Sequence, residues 1–412
     1  MTSSPASRTP AEATLAEALE RQSSRLALRR PRVLGRELLA GFVTSLALIP
    51  EVLAFSVVAG VDPRVGLFTA VVMAVAAAVV GGRPGMVTAA AGAVALVTAP
   101  LVRSHGVDHL VLAVLLGGVL QILLGLAGVH RLMRFVTRPV MVGFVNSLGT
   151  LMLLSQLPEL EGVPGAVYWL AALGVLVVFG CSRLWPSSPS PFFAIVLVTA
   201  AATLAGVRVP TVGDRGRLPT ALPEIGLPHV PLSLDTLAVV APYAVGIAVV
   251  GLVETLMTAR VVDSLTGTPT DQPREVRGQG IANIAAGLIG GMGGCAMIGQ
   301  SIMNVKASGG RTRISSAAAG LSLLALVLVL RPIVAEIPMA ALVAVMVFLG
   351  LTTVDLRSVT PARLREAGWR ETAIMLVTVA IVVPTHNLAL GVFVGAALSA
   401  VLLRRDGRSG LV

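Results

Sequence analysis

Apolar stretches of about 18 to 22 residues recur along almost the whole sequence, each long enough to cross a hydrocarbon core of roughly 30 Å as a helix. That recurrence fixes the class as a polytopic helical membrane protein, because a soluble repeat protein would need polar faces every few residues and these stretches have none. Composition agrees: 55% of the 412 residues are apolar, mean hydropathy is +0.88, and only 13% are charged, about half the usual share for a soluble domain. The first apolar run begins only after Arg36 and follows Glu12, Glu17 and Glu20, which is not the pattern of a cleavable leader.

The pattern predicts an all-α fold of fourteen spans, at about 37–60, 64–82, 84–103, 108–128, 136–157, 164–184, 190–207, 237–260, 276–291, 293–309, 313–331, 338–354, 370–384 and 387–404. Five units follow: a cytoplasmic tail 1–36, a first repeat 37–207, an external Pro-rich connection 208–236, a second repeat 237–405 and a cytoplasmic tail 406–412. Within the first tail, Leu15, Leu19 and Leu26 share a helical face over 11–30, the pattern of a helix lying on an anionic inner leaflet.

A net charge of +10 raises nucleic acid as a partner, but the basic residues gather at span ends instead. With the N-terminus inside and fourteen crossings, only Arg64, Arg103, Arg208, Arg215, Arg217 and Arg331 fall outside, leaving the other 25 of 31 Lys and Arg in the cytoplasm. Both termini are therefore expected inside. Cys181 and Cys295 have no spacing that suggests a disulfide or metal site, and His386 reads as loop.

Seven spans on each side of the connection place the two halves in opposite orientations, the arithmetic of an inverted repeat. The third span opens on Gly81-Gly82-Arg83-Pro84-Gly85 and the tenth on Gly290-Gly291-Met292-Gly293-Gly294, each followed by small residues. Interrupted segments at matching places in two halves mark a transporter binding site. A broken helix offers free N–H groups and the positive end of its dipole, so two such ends can hold one anion without a basic side chain. The candidate backbone positions are Ala91, Gly92 and Ala93 in one break and Cys295, Ala296 and Met297 in the other. A side chain larger than Ala at Ala91, Gly92 or Ala296 would hold a ligand off the amides.

Two acidic residues lie well inside spans, Glu51 and Glu254, and carboxylates at such depth mark an ion or proton path. Thr258 follows Glu254 by one turn, so the pair offers oxygens to Na⁺ or a site for a proton. An ionised carboxylate beside an anion repels it, which makes cation–anion symport the simplest scheme. Glu51 follows Pro50, expected to disrupt the first span near midplane, and Phe55 one turn on could wall the pocket. No cofactor is expected beyond the coupling ion, H⁺ or Na⁺, and no GxxxxGK[ST] run suggests an ATP-driven pump.

These residues resemble the sulfate permease (SulP) family of anion transporters. The resemblance rests on Ala47 through Phe55 (ALIPEVLAF), Gly81 through Gly85, Pro139 through Asn146 (PVMVGFVN), the Glu254 helix into Val261-Val262-Asp263, and GGMGGCAMIGQSIMNVKASGGRTR from Gly290, and it spans roughly 35–405. It implies seven-plus-seven inverted repeats, a mobile core of spans 1–4 and 8–11, a gate of spans 5–7 and 12–14, and substrate between the third and tenth spans, lined by Glu51, Phe55 and Glu254. The sodium-coupled bicarbonate branch of that family carries an acidic residue and a hydroxyl four residues later in the eighth span, which Glu254 and Thr258 match, and a Thr in the tenth where this chain has Met297. The exchange favours protons. Family members usually carry a cytoplasmic STAS domain, and this sequence ends about eight residues past the last expected span, at Val412, which weakens the expectation of a homodimer. The resulting expectation is an elevator-like carrier of bicarbonate, sulfate or a small carboxylate in contact with membrane lipid. A nucleobase symporter of the same fold and a passive anion channel are the alternatives. A membrane enzyme is set aside, since no nucleophile–base or metal constellation is evident.

Overall fold

The computed structural model describes residues 23–129, 131, 137–185, 189–215, 225–231, 233–385 and 387–403. Leu15, Leu19, His386 and the tail 406–412 lie outside the described residues, as does part of the connection 208–236; Leu26 falls in a short helix, Ser24–Arg29.

The first half contains α1 (Pro31–Ala59), α2 (Pro63–Val80), strand β1 (Thr88–Ala90), α3 (Gly92–His105), α4 (Val107–Leu126), α5 (Arg138–Leu154), α6 (Gly165–Leu184) and α7 (Ser190–Leu204). The second contains α8 (Leu234–Thr266), α9 (Gln272–Leu288), strand β2 (Gly294–Ala296), α10 (Ile298–Ile302, running into a π turn, Met303–Ala307), α11 (Arg313–Val329), α12 (Met339–Thr353), α13 (Pro361–Thr385) and α14 (Leu388–Leu403). Among the described residues, eight helices are long and apolar enough to cross a membrane, and α7, α11 and α14 are shorter apolar helices. Pro at the first turn of α1, α2, α5, α7 and α9 suits positions whose N–H has no intrahelical partner.

α1 runs unbroken through Pro50, so the expected disruption of the first span is limited to the one hydrogen bond that Pro50 cannot donate to Leu46. α13 is bent instead at Gly368, where φ is 76°. The greater departure from an all-helical reading lies at the two breaks. Thr88-Ala89-Ala90 and Gly294-Cys295-Ala296 are short strands that pair antiparallel, with Thr88 opposite Ala296, Ala89 opposite Cys295 and Ala90 opposite Gly294. Backbone that leaves a helix within a membrane must find partners inside the protein, and the two breaks find them largely in each other.

Packing sorts the helices into two groups. α4 packs on α9 and α8, α11 packs on α1 and α2, and α2 packs on α9. In the other group α5 packs on α13 and α12, α6 on α12 and α7, and α13 on α14. Fewer contacts cross between groups, chiefly α1 with α12 and α7, and α8 with α14. α6 and α13 are the least covered of the long apolar helices, and exposed Trp169, Leu176 and Phe393 give the second group an apolar outer face suited to lipid. The start of the long connection is docked on the segment between α11 and α12: the N–H of Val212 donates to the carbonyl of Ile337 at 2.9 Å and that of Met339 to Pro210 at 2.8 Å. Beside it, Thr211 donates from both N–H and hydroxyl to Asp214, holding that exposed carboxyl below the usual carboxylate range.

Candidate functional site

The site is built around the two-stranded ladder. Antiparallel pairing sets the starts of α3 and α10 at opposite ends of a ladder about 7 Å long, so the positive ends of both helices point inward. Neither start has a side-chain cap: Ala91 precedes α3 and Met297 precedes α10. The first intrahelical bonds are Ala95 N–H to Ala91 and Ser301 N–H to Met297, which leaves the donors of each first turn for another acceptor.

On the first side, Gly92 and Ala93 open α3 and are buried with Ala91. The Phe55 ring of α1 lies against Gly92, so closely that a Cβ there would sit 2.7 Å from it. Glu51, one turn earlier on the same face of α1, is 5% exposed and hydrogen-bonds the side chain of Gln300 in α10. The structure thus brings Phe55 to the first helix start and Glu51 to the second.

On the other side, α8 meets β2 at three points. The thiol of Cys295 donates to Glu254 Oε2 at 2.9 Å, the N–H of Ala296 to Thr255 Oγ1 at 3.2 Å, and Thr258 Oγ1 lies 3.1 Å from the carbonyl oxygen of Ala296 and 2.8 Å from that of Glu254. Glu254 and Thr258 therefore share a site with Cys295 and Ala296, but the Thr258 hydroxyl is directed at backbone oxygens. The N–H of Met297 donates to the carbonyl of Val87 at 2.9 Å. With the amides of Ala296 and Met297 both engaged, the donors on this side belong to the first turn of α10.

Sequence reasoning missed what holds the strands. Gln279 Nε2 and Asn283 Nδ2 donate to the carbonyl of Gly294 at 2.9 and 3.1 Å, and Gly294 N–H donates to Asn283 Oδ1 at 2.9 Å. Asn283 also donates to Gln121 of α4 at 2.9 Å, and Gln279 accepts from Thr255 at 3.2 Å. The three amide side chains are fully buried. An inventory of uncharged Asn and Gln inside apolar spans would have found them.

The glycine-rich approach to β1 is anchored on the second half. Glu275 of α9 accepts from the N–H groups of Gly82 and Arg83 at 2.6 and 2.9 Å. Arg83, 3% exposed, reaches Asp263 at 3.1 Å, the Thr268 carbonyl at 2.9 Å, the Val262 carbonyl at 3.1 Å and the Thr266 hydroxyl. Its charge is committed to the α8–α9 turn. The approach to β2 is anchored reciprocally, with Met292 N–H donating to Thr69 of α2 at 3.0 Å. Among the described residues, no group of three or more His, Cys, Asp or Glu could hold a metal ion.

The sequence pattern of the sulfate permease family matches residues 34–172 and 166–378. YbaR of Bacillus subtilis (strain 168), named a candidate sulfate transporter, is 46% identical over 366 residues, covering 89% of this chain and 76% of its own length. The bicarbonate transporter BicA of Synechocystis sp. (strain ATCC 27184 / PCC 6803 / Kazusa) is 27% identical over 289 residues, 63% of this chain and 50% of that one. In fold, the chain is similar to the transmembrane domain of a cyanobacterium bicarbonate transporter BicA, with TM-score 0.76 at 24% identity over 90% of this chain and 98% of that one. It is also similar to murine solute carrier 26 family member A9 in the inward-facing state, with TM-score 0.75 at 17% identity over 90% and 68%. The chain is a multi-pass membrane protein of the sulfate permease family, built for transport rather than catalysis.

Proposed function

We propose that the chain is a secondary active transporter of a small inorganic anion of the bicarbonate or sulfate type, or a small carboxylate, moved in symport with a cation by an elevator-like mechanism. The observation that carries this reading is the pair of uncapped helix starts, α3 and α10, meeting across one ladder with Glu254 bonded to its central residue, Cys295. Inward-pointing helix dipoles and first-turn N–H groups form an anion cradle without a fixed positive charge.

Seven-plus-seven inverted repeats account for the packing. Adding seven to each helix number turns the pair α1–α11 into α8–α4, α4–α9 into α11–α2, and α5–α13 into α12–α6, and every one of these pairs is a principal contact. On this reading α1–α4 and α8–α11 form the moving core and α5–α7 with α12–α14 the gate, with both termini cytoplasmic. Relatives named for sulfate and for bicarbonate support the anion class.

The test is flux in proteoliposomes with imposed Na⁺ and pH gradients and a panel of anions. Wild type should accumulate at least one anion against its gradient. Glu254→Gln, which keeps shape and removes the charge, should lower gradient-driven accumulation at least tenfold while the protein stays folded. Full concentrative uptake by that variant would remove Glu254 from the coupling site.

A further inference from the structure

We infer that the thiol of Cys295 is the positioning group that ties the coupling-ion carboxylate to the anion cradle, so that occupancy of one is felt at the other. The inference rests on the cation-coupled reading above and deepens it.

Cys295 is the central residue of β2 and is fully buried. Its neighbours are pinned on both sides. Gly294 is held through both its carbonyl and its N–H by Gln279 and Asn283, and Ala296 through its N–H by Thr255 and its carbonyl by Thr258. A three-residue strand fixed at both ends presents its middle side chain in one direction, and that direction is Glu254 Oε2 at 2.9 Å. The backbone of Cys295 meanwhile pairs with Ala89, two residues before the N-cap of α3. One residue therefore touches the coupling carboxylate with its side chain and the strand that leads into the anion cradle with its backbone.

A thiol donates a single proton and does so weakly, so its bond depends on the charge of the acceptor. An ionised Glu254 draws the S–H in. A Glu254 that has taken up a proton or a cation accepts that bond more weakly, and the tie between the carboxyl and the ladder loosens. Coupling requires a differential contact between the two states of the ion site, and this hydrogen bond supplies one at the residue shared by the two sites. Because coupling is reciprocal, anion binding feeds back on Glu254 along the same bond.

The experiment compares Cys295→Ala, which removes the donor, with Cys295→Ser, which keeps a hydroxyl there, in the full chain in proteoliposomes. Two quantities are read for sulfate and for bicarbonate: accumulation driven by an imposed H⁺ or Na⁺ gradient, and anion counterflow at equal ion concentrations, which needs the anion site but no net coupling. The Ala variant should lose about tenfold more accumulation than counterflow, and Ser should restore most of the ratio. Equal loss of both by the Ala variant, no loss of either, or failure of Ser to restore the ratio would each overturn the inference. If the wild-type chain responds to neither gradient, cation coupling itself fails and the thiol link falls with it. If wild type responds and the Ala variant keeps the same ratio, only the thiol link fails.

Discussion

The carbonyl oxygen of Gly294 accepts two side-chain amides while its N–H donates to a third polar atom, and all of these groups are buried. A Cβ here would lie 2.0 Å from the Ala89 carbonyl oxygen, so the strands approach this closely only because the residue is glycine. Removing Asn283 strands groups that have no access to water, at a cost of about 1–3 kcal/mol. Asn283→Leu should therefore lower the melting temperature in detergent, and an unchanged melting curve would mean that the ladder holds without it. Gly92 gives a sharper steric test. Gly92→Leu must displace the Phe55 ring from the start of α3, and Ala296→Leu enlarges a fully buried position on the ladder. Either substitution should weaken anion binding tenfold or more in a direct binding assay, and wild-type affinity in either would put the anion elsewhere. Glu51, Glu254 and the small residues of both breaks stood out in the sequence because charge and glycine are conspicuous in apolar runs, and Phe55 because it follows Glu51 by one turn. Gln300, Gln279, Asn283 and Gln121 did not, because a neutral amide gains its meaning only from the atom it faces.

At the scale of elements, helix positions were legible from the length of the apolar runs, with most ends displaced by a few residues and one end each of α1, α8 and α13 by six to nine, while the strands were not. Three residues carry no periodicity, and the pairing of Thr88 with Ala296 joins segments more than two hundred positions apart. The interruptions themselves were visible as glycine clusters; what fills them follows from the demand that backbone inside a membrane be paired. The approach to β1 depends on Arg83, whose guanidinium binds the α8–α9 turn through Asp263 and two backbone carbonyls. The side chain of Asp263 is 27% exposed, so solvent softens the loss, and Arg83→Leu should destabilise by about 2 kcal/mol rather than the larger figure for a fully buried pair. Its effect on transport should exceed its effect on stability, since the loop it anchors leads directly into the ladder. A variant that melts early yet transports normally once folded would show that the anchor serves folding alone.

At the scale of the whole molecule the open choice is the coupling ion, and the oxygens around Glu254 bear on it. Sodium needs several oxygen ligands at once, and the candidates are the Glu254 carboxylate, Thr258 Oγ1 and carbonyls of β2. The Gly294 carbonyl already accepts two amide donors, and the Ala296 carbonyl lies 3.1 Å from the Thr258 hydroxyl. The Met297 side chain brings no oxygen and its carbonyl accepts the Ser301 N–H, and the side chain at Glu254 Oε2 is a thiol, a soft group with little affinity for a hard cation. A proton needs only the carboxylate. On these grounds we propose H⁺ as the coupling ion, and the sign of the pH effect then follows from charge: an anion entering the proposed cradle is repelled by ionised Glu254 and accepted beside the protonated form. Uptake should therefore rise as external pH falls, with no requirement for Na⁺, and Glu254→Gln, a permanent stand-in for the protonated state, should flatten the profile. Thr258→Ala should change the pH profile little, because the hydroxyl it removes serves backbone oxygens. Uptake that is flat in pH, saturates with Na⁺ and collapses in Thr258→Ala would reverse the assignment and require the β2 carbonyls to exchange their amide donors for a metal ion.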